Sequence, residues 1–298
     1  MSAEVSPHSG KPYGVVLVCD VWEQPRSTFY ARRDRRDNPP DEPPAKRGPK
    51  TAVSDEQLLV AIKADLAASP FEGEGHKKVT ARLRVQQGLR VSPGRVLKQM
   101  RLANLLSPHR RRQGNPKAHE GTIGTDAPNV MWGTDGTKVL TVEEGNVWIF
   151  AAVEHWNSEC VGWHVCKEGN RFNALQPLAM GLTKHFGSAD AGVAVGLSVR
   201  MDHGSQYTAD HFRGQIKHWG MTESYAFVSE PETNGVAERF FRTLKEQVIY
   251  GRIFRNAEEV RKAVAEFVKR YNAWWLVEKQ GYLSPDQARQ QWLAAQAA

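Results

Sequence analysis

The order of strand-like and helical segments after residue 121 constrains the fold of this chain more than any other feature. The segments "NVMWGTDGTKVLTV" and "NVWIFAAVEH" are rich in branched and aromatic residues, and the "EEGN" between them predicts a β-hairpin. "CVGWHVC" predicts a third strand, and "GLSVRMD" and "MTESYAF" predict two more. Because helical segments separate the later strands, we expect an α/β architecture.

Three helical segments accompany these strands. "RFNALQPLAMGLTKHFG" predicts a helix despite Pro177, and "TADHFRGQIKHWG" predicts a shorter one with Thr208 as its cap and Gly220 at its end. "NGVAERFFRTLKEQVIY" predicts a strong amphipathic helix. Its apolar face comprises Ala237, Phe240, Phe241, Leu244 and Val248. Glu238 lies outside that face, beside basic side chains of the same helix.

Residues 54–106 predict three further helices. The first opens at Ser54, the second ends at Gly88, and the third has Ser92 as its cap. The third helix carries the basic residues Arg95, Lys98 and Arg101. A small three-helix domain with a basic last helix indicates a helix-turn-helix DNA-binding domain, although a charged, solvent-exposed surface gives the same pattern.

The chain in front of this domain predicts a short helical segment and a linker. An apolar stretch, a break at "EQP" and then "RSTFYARR" indicate two short helices within residues 1–30, either a helix-turn-helix remnant or a simple helical hairpin. Residues 31–53 are rich in proline and in charged side chains, which predicts an extended linker.

A second, basic linker is predicted at residues 107–122. It contains Arg110, Arg111 and Arg112, which either track a phosphate backbone or are simply solvated. The α/β region then occupies residues 123–290, with a C-terminal helical extension, and residues 291–298 form a tail.

The net charge of +7 is unevenly spread along the chain. Residues 1–120 carry 22 Lys and Arg against 13 Asp and Glu, whereas residues 121–298 carry 18 against 20. A basic front half indicates an anionic partner, most plausibly nucleic acid, although a generally basic soluble protein would show the same excess.

Membrane and secreted proteins are disfavoured by the same sequence. No run of eighteen apolar residues occurs, and the apolar stretch near the N-terminus is short and interrupted by Asp20. The three cysteines form no CxxC motif, which fits a reduced compartment without structural disulfides or zinc. We expect a cytoplasmic protein.

Three acidic residues stand at notable places in the α/β region. Asp135 lies inside the first strand, Asp202 closes the fourth strand, and Glu238 lies on the strong helix. Each has an ordinary interpretation: Asp135 as a partner of Lys138, Asp202 as a turn cap, Glu238 as a partner of Arg242. As a set they are hard oxygen ligands of the kind that Mg²⁺ prefers, and two such ions can activate phosphodiester chemistry.

The spacing of these acids, with "WGTDGTK", "DHGSQYTADHF" and "NGVAERFFRTLKE" around them, resembles the DDE transposases and retroviral-type integrases. Residues 121–290 are most similar to the downstream-frame product of bacterial insertion sequences whose transposase is encoded in two overlapping frames. Residues 54–106 resemble the helix-turn-helix domain that precedes the catalytic core in that family.

The resemblance implies a ribonuclease H-like integrase catalytic core. Asp135, Asp202 and Glu238 would be catalytic and would hold two Mg²⁺ or Mn²⁺ ions. Water would cleave a phosphodiester at the element's end to free a 3′-OH, which would then attack another DNA strand. The implied partners are double-stranded DNA, comprising terminal inverted repeats and target DNA, further copies of the chain on that DNA, and an upstream-frame product as partner or fusion. The implied location is the bacterial nucleoid.

Neighbours of the three acids are candidate DNA contacts. His203, where the commoner family motif His-Ser-Asp-x-Gly has another residue, either approaches the scissile phosphate or packs. Gln206 and Tyr207 carry groups that could position a DNA strand, and Arg242 and Lys245 are expected to contact phosphate. Two alternatives to a strand transferase stay open: a non-catalytic sequence-specific DNA-binding regulator derived from a transposase, and a nuclease-only relative.

Overall fold

The computed structural model describes residues 3–39, 52–107, 124–225 and 235–297. The chain divides into two compact units, Met1–Ala52 and Val53–Ala298. Within the described ranges no helix is both long and apolar enough to span a bilayer.

The first unit contains the two helices predicted there, α1 (Gly14–Val21) and α2 (Arg26–Asp37). The prediction that a linker begins at residue 31 is wrong, because α2 continues to Asp37. Its arginines are good helix formers, and the Asn38 side chain donates a hydrogen bond to Asp34 over 2.9 Å. The helix ends before Pro39, since a residue that precedes proline avoids the helical conformation.

The second unit begins with the three predicted helices, α3 (Asp55–Ala68), α4 (His76–Gln87) and α5 (Pro93–Leu102). The Ser54 hydroxyl accepts a hydrogen bond from the Gln57 backbone, and the Gln57 side chain accepts one from the Ser54 backbone. Gly88 ends α4 in the left-handed conformation that glycine adopts freely. The helices share a small hydrophobic core formed by Leu58, Ile62, Val79, Leu83, Val91, Val96 and Met100.

This helical region contacts the rest of its unit through the turn after α3. The Phe71 ring meets the Trp275 ring edge-on, with 5.0 Å between centroids. The Glu72 backbone donates to the Gln247 side chain over 3.0 Å, and Gln247 donates back to the Glu72 carbonyl over 2.8 Å. Lys77 forms an ion pair with Glu278 at 2.5 Å. The helices are therefore held against the α/β region by both apolar and polar contacts.

All five predicted strands are confirmed: β1 (Met131–Thr141), β2 (Gly145–Glu154), β3 (Cys160–Cys166), β4 (Ser198–Met201) and β5 (Thr222–Tyr225). They form one sheet in the order β3-β2-β1-β4-β5. The first three strands are antiparallel, whereas β4 pairs parallel to β1 and β5 pairs parallel to β4. This order and mixture of directions is that of the ribonuclease H-like fold, which confirms the predicted α/β class.

Helices cover both faces of this sheet. They are α6 (Arg171–Phe186), α7 (Ser205–Thr208), α8 (Asp210–His218), α9 (Gly235–Leu244), α10 (Ala257–Trp274) and α11 (Pro285–Ala297). Side chains of α6, α7 and α8 form one core with Trp132, Phe150 and Val199. Side chains of α9 and α10 form the other core with Val139 and Ile149. The apolar face predicted for α9 is confirmed, since all five of its side chains are buried.

Two helix boundaries differ from those predicted. Thr208 does not cap the helix after it but ends the four-residue α7, and α8 starts at Asp210 after the extended Ala209. The Thr208 hydroxyl instead donates back to the Gly204 carbonyl at 3.4 Å. At the C-terminus, α11 continues to Ala297 through the stretch predicted as a tail, because its alanines and glutamines favour helix.

Gly162 allows α6 to pack closely against β3. A Cβ atom at this position would lie 2.0 Å from the carbonyl oxygen of Pro177, which is inside α6. Such a distance cannot occur without displacement of backbone, since the obstructing atom is not the end of a flexible side chain.

We expect Gly162→Ala to destabilise the protein by about 3 kcal/mol, the upper range for overpacking a core. Gly214→Ala is the matched control, because a methyl group on Gly214, which lies in α8, would have no atom within 4 Å. That change should be neutral or stabilise by about 0.5–1 kcal/mol through helix propensity. Urea unfolding of both variants measures the difference, and equal stability of the two would contradict the packing described.

Candidate active site

Asp135 lies in the middle of β1, opposite Ala151 of β2, and its side chain is half-buried. Its carboxylate accepts a hydrogen bond from the Gly136 backbone over 2.7 Å. Burial, together with the charges of Asp202 and Glu238, raises the pKa of Asp135 to about 6. The Gly136 hydrogen bond and the Lys245 charge oppose this rise in pKa. Asp135 therefore faces two other carboxylates and one ammonium group.

Asp202 reaches this position through the register of the parallel strands. Met131 lies opposite Ser198, and Gly133 lies opposite Arg200. Extending the same register by two residues places Asp202, which follows the last residue of β4, beside Asp135. The exposed Asp202 carboxylate accepts from the Gly204 backbone over 2.9 Å, so the turn-cap interpretation is also correct.

Glu238 lies in the first turn of α9, on the side of the helix away from its buried residues. Ala237 and Phe240 anchor the helix in the core, which leaves the Glu238 side chain exposed above β1. The third carboxylate is therefore supplied by packing of the helix rather than by strand register.

The three carboxylates interact electrostatically but do not form a closed coordination site. Within the described ranges, no three Asp, Glu, His or Cys side chains lie close enough together to hold one metal ion. The donor set nevertheless suits a hard divalent cation, because a cation would relieve the repulsion that raises the pKa of Asp135. The alternative interpretation, in which Asp135 pairs with Lys138, is wrong. The Lys138 ammonium instead lies over the Trp148 ring, 4.7 Å from its centroid.

Lys245 and Arg242 lie on the same side of the helix as Glu238. Lys245 is half-buried, and its charge reaches Asp135. It also starts a single π-helical turn, Lys245–Ile249, of a kind often found at functional sites. Arg242 is exposed one turn before it. Both side chains remain predicted phosphate contacts.

The turn after Asp202 is tightly built. A Cβ atom on Gly204 would lie 2.6 Å from the Gln206 amide nitrogen and 2.9 Å from the Asp202 carboxylate, so a side chain there would displace these two groups. The exposed His203 ring stacks on the Tyr225 ring, with centroids 5.2 Å apart and planes 12° from parallel. Of the two predicted roles of His203, packing is therefore observed.

Tyr207 differs from its prediction as a DNA contact. Its side chain is completely buried and meets the Phe212 ring at 5.2 Å, because the short α7 turns it toward the core. Burial raises the pKa of the Tyr207 hydroxyl well above 10, and the Asp135 charge adds to this. Because the ring is part of the hydrophobic core that α6, α7 and α8 form against the sheet, the prediction of Tyr207 as a DNA contact is corrected.

The basic residues of α5 divide into two groups. The Arg95 guanidinium donates to the Asp55 carboxylate at 2.7 and 2.9 Å and to the Val53 carbonyl at 2.6 Å, so it is engaged within the helical region. Lys98 and Arg101 are exposed and available to a partner. The predicted contacts Arg110, Arg111 and Arg112 lie outside the described residues.

Sequence reasoning missed two buried residues, Arg200, which lies two positions before Asp202, and His155. A charged residue in the short apolar strand "SVRM" was the available signal for Arg200. For His155, which follows the strand "NVWIFAAVE", no signal distinguishes it from an ordinary strand-end histidine.

Two family models for an integrase core domain match the chain, over residues 125–231 and 219–285. Together they span the strands and helices that carry Asp135, Asp202 and Glu238, and they cover more than half of the chain. The chain belongs to the insertion-sequence transposases of the DDE/integrase superfamily. This membership associates the chain in general terms with DNA transposition and integration. It also indicates the enzyme class of the polynucleotidyl transferases.

Curated relatives of this transposase come from insertion elements of Escherichia coli. It is 28% identical over 280 residues to the transposase InsD for insertion element IS2, covering 92% of this chain and 90% of that protein. It is 26% identical over 287 residues to an uncharacterized 48.2 kDa protein of the same element. That match covers 94% of this chain but only 65% of the longer protein.

Among solved structures, the transposase is similar to the HTLV-2 integrase catalytic core domain in complex with magnesium, in a trimeric form. The identity is 12%, the TM-score is 0.39, and the match covers 55% of this chain and 95% of that one. The strand order described above, rather than this likeness, carries the fold assignment.

We expect Asp135→Asn to stabilise the metal-free protein at pH 7.5 by about 3 kcal/mol, because one pKa unit corresponds to about 1.4 kcal/mol. The pKa of Asp135 is about 6 in the folded state against an ordinary 3.8, so wild-type stability falls as pH rises from about 4 to 6. The two proteins should therefore converge near pH 4. Urea unfolding with a chelator across this range tests the expectation.

Asp190→Asn is the matched control for this pH series, since Asp190 is exposed and lies outside the site. An equal gain in stability from both changes, or a gain from Asp135→Asn that does not depend on pH, would contradict the burial and repulsion described.

Proposed function

We propose that the chain catalyses metal-dependent DNA strand cleavage and strand transfer at the ends of an insertion sequence. The observation that carries the proposal is the placement of Asp135 and Asp202 on neighbouring parallel strands beside Glu238, with the pKa of Asp135 raised to about 6 by burial and by both acids. Such a cluster of carboxylates has little structural value and fits a cation-dependent site.

The proposed reaction has two balanced steps. A water oxygen bonds to the phosphorus at the element's end, the bond to the 3′-oxygen breaks, and the strand leaves as a 3′-OH. That 3′-oxygen then bonds to a phosphorus of another strand, and the 3′-oxygen of the attacked bond leaves with a proton. No side chain becomes covalently attached in either step.

Asp135, Asp202 and Glu238 would together hold two Mg²⁺ or Mn²⁺ ions, which when bound activate the attacking oxygen and stabilise the leaving one. For this, Asp135 must be ionised, which the Lys245 charge favours. The Gly204 backbone restrains the Asp202 carboxylate through its hydrogen bond. Arg242 and Lys245 would contact phosphate on the same side of α9.

DNA recognition is proposed for the helical region and the basic segment after it. Lys98 and Arg101 are exposed on α5, whose other side contributes Val96 and Met100 to the hydrophobic core. Arg110, Arg111 and Arg112 would add phosphate contacts. We further propose that copies of the chain act together on paired ends in the bacterial cytoplasm, alone or with an upstream-frame product.

Asp202→Asn and Glu238→Gln are each expected to lower cleavage of an insertion-sequence end by about 10³-fold or more, because either change removes a ligand from the metal pair. DNA affinity should stay within about twofold of wild type. Glu266→Gln, on the exposed side of α10, is the control and should cleave normally. A gel assay of labelled ends in Mg²⁺ and in Mn²⁺ measures both steps.

A wild-type protein that binds the ends but cleaves nothing with either metal would instead favour the alternative function, a DNA-binding regulator derived from a transposase. Cleavage without joining would favour the nuclease-only relative.

The double variant Lys98→Ala, Arg101→Ala should reduce the salt dependence of DNA binding, with the slope of log K against log salt falling by about 2. Lys262→Ala with Lys269→Ala, both exposed on α10, is the charge-matched control and should leave the slope unchanged. Fluorescence anisotropy between 50 and 200 mM salt, roughly the range over which such contacts matter, gives the slopes. Equal slopes for the two double variants would exclude α5 as the DNA-binding helix.

A further inference from the structure

Arg200 occupies an unusual position in the sheet. It lies in β4 with only 4% of its surface exposed, and one guanidinium nitrogen donates to the Ser224 hydroxyl over 3.0 Å. The other two nitrogens, Nε and Nη2, are buried and have no hydrogen-bond partner within the described part of the chain. Since buried arginines are normally paired, these donors require explanation.

His155 is a second buried group with the same feature. It is 3% exposed, and among the described residues neither ring nitrogen has a hydrogen-bond partner. Its backbone donates to the Met131 carbonyl over 2.9 Å, which fixes it just beyond the end of β2. Burial, together with the charges of Lys279 and Arg200, lowers the pKa of His155 to about 4. The positive charge of Arg200 is therefore felt at the His155 ring.

Lys279 brings another cation to the same place. Its ammonium donates to the His155 carbonyl oxygen, and burial lowers the pKa of Lys279 to about 8. Arg239, the residue after Glu238, also lowers this pKa, so its guanidinium lies nearby. The positive charges are thus contributed by three separate elements, β4, α9 and the turn before α11.

The neighbouring Glu154 offsets part of this charge, because it opposes the fall in the pKa of Lys279 that burial causes. The Glu154 carboxylate accepts hydrogen bonds from the backbones of Asn129 and Trp156 and from the Trp132 indole. Its ion pair is with Arg289, at 3.6 Å. Within the described ranges, no carboxylate forms an ion pair with Arg200, so the charge of this guanidinium is uncompensated and two of its donors are unfilled.

The cluster lies on the same face of the sheet as the three acids. Val199 and Met201 point into the core on the opposite face, so Arg200 and Asp202, two residues apart, share one face. Gly133, opposite Arg200 on β1, leaves that face without a side chain. Two strand residues correspond to roughly 7 Å, so a group held at Arg200 would lie next to one held by the acids.

We propose that Arg200, Ser224, His155 and Lys279 form a binding site for a phosphate group. The forked guanidinium offers two free donors to phosphate oxygens, the Ser224 hydroxyl can share in the contact, and Lys279 and Arg239 supply the surrounding positive charge. Resting on the proposed function, the phosphate would be that of the DNA strand beside the cleaved bond. Inorganic phosphate presents the same oxygens and is the other source.

Thermal unfolding of the full chain in inorganic phosphate, against chloride at equal ionic strength, tests the site. Wild type should unfold several degrees higher in phosphate, because a ligand that binds only the folded state stabilises it. Arg200→Met should lose this shift and, in chloride, should unfold at or above the wild-type temperature, since an unpaired buried cation is removed. Arg213→Met is the control, because Arg213 is exposed and paired with Glu223 at 3.0 Å.

Arg200→Lys keeps the charge but not the fork, and should weaken phosphate binding at least tenfold while folding normally. It carries the test if Arg200→Met fails to fold. The proposal is overturned if wild type shows no phosphate-specific shift, or if either Arg200 variant responds to phosphate as wild type does.

DNA binding distinguishes the two sources of the phosphate. If the site takes a DNA phosphate, the Arg200 variants should bind an insertion-sequence end at least tenfold more weakly, and inorganic phosphate should compete with DNA for wild type. Unchanged DNA affinity would overturn the DNA assignment and leave inorganic phosphate as the ligand. If phosphate raises the unfolding temperature but the protein never cleaves DNA, only the proposed function is contradicted. If the protein cleaves DNA but shows no phosphate response, only this binding site is contradicted.

Discussion

The register between the parallel strands β1 and β4 is the constraint on which the rest of the site depends. Met131 lies opposite Ser198, an offset of 67 residues, and the same offset separates Asp135 from Asp202. A slip of one residue would turn one carboxylate to the opposite face of the sheet, because side chains alternate along a strand. The hydrophobic cores on the two faces oppose such a slip, since it would remove Trp132 or Val199 from the core in which each is completely buried.

The fold accepts several polar groups that weaken it. The repelled carboxylate of Asp135, the half-satisfied guanidinium of Arg200 and the buried hydroxyl of Tyr207 lie on or beside neighbouring strands at one end of the sheet. Each is less favourable in a dry interior than in water. Two hydrophobic cores, one on each face, supply the free energy that offsets these groups, and the unfavourable groups are concentrated where a charged substrate would meet the protein.

Much of this arrangement could be predicted from the sequence, for identifiable reasons. The strands carry branched and aromatic residues, and Ser54, Gly88 and Ser92 mark helix ends through their own hydrogen bonds or backbone angles. The inward turn of Tyr207 could not be predicted, because it depends on a four-residue helix that only tertiary packing stabilises. The pairing of Arg95 with Asp55, 40 residues away, and the charge cluster around Arg200 likewise depend on long-range contacts.

The two hydrogen bonds between Glu72 and Gln247 have a mechanical consequence. Gln247 lies in the widened turn that continues α9, the helix that carries Glu238, and Glu72 lies in the turn between α3 and α4. A displacement of α3 or α4 would therefore act on the helix that carries the third carboxylate through a connection only two hydrogen bonds long.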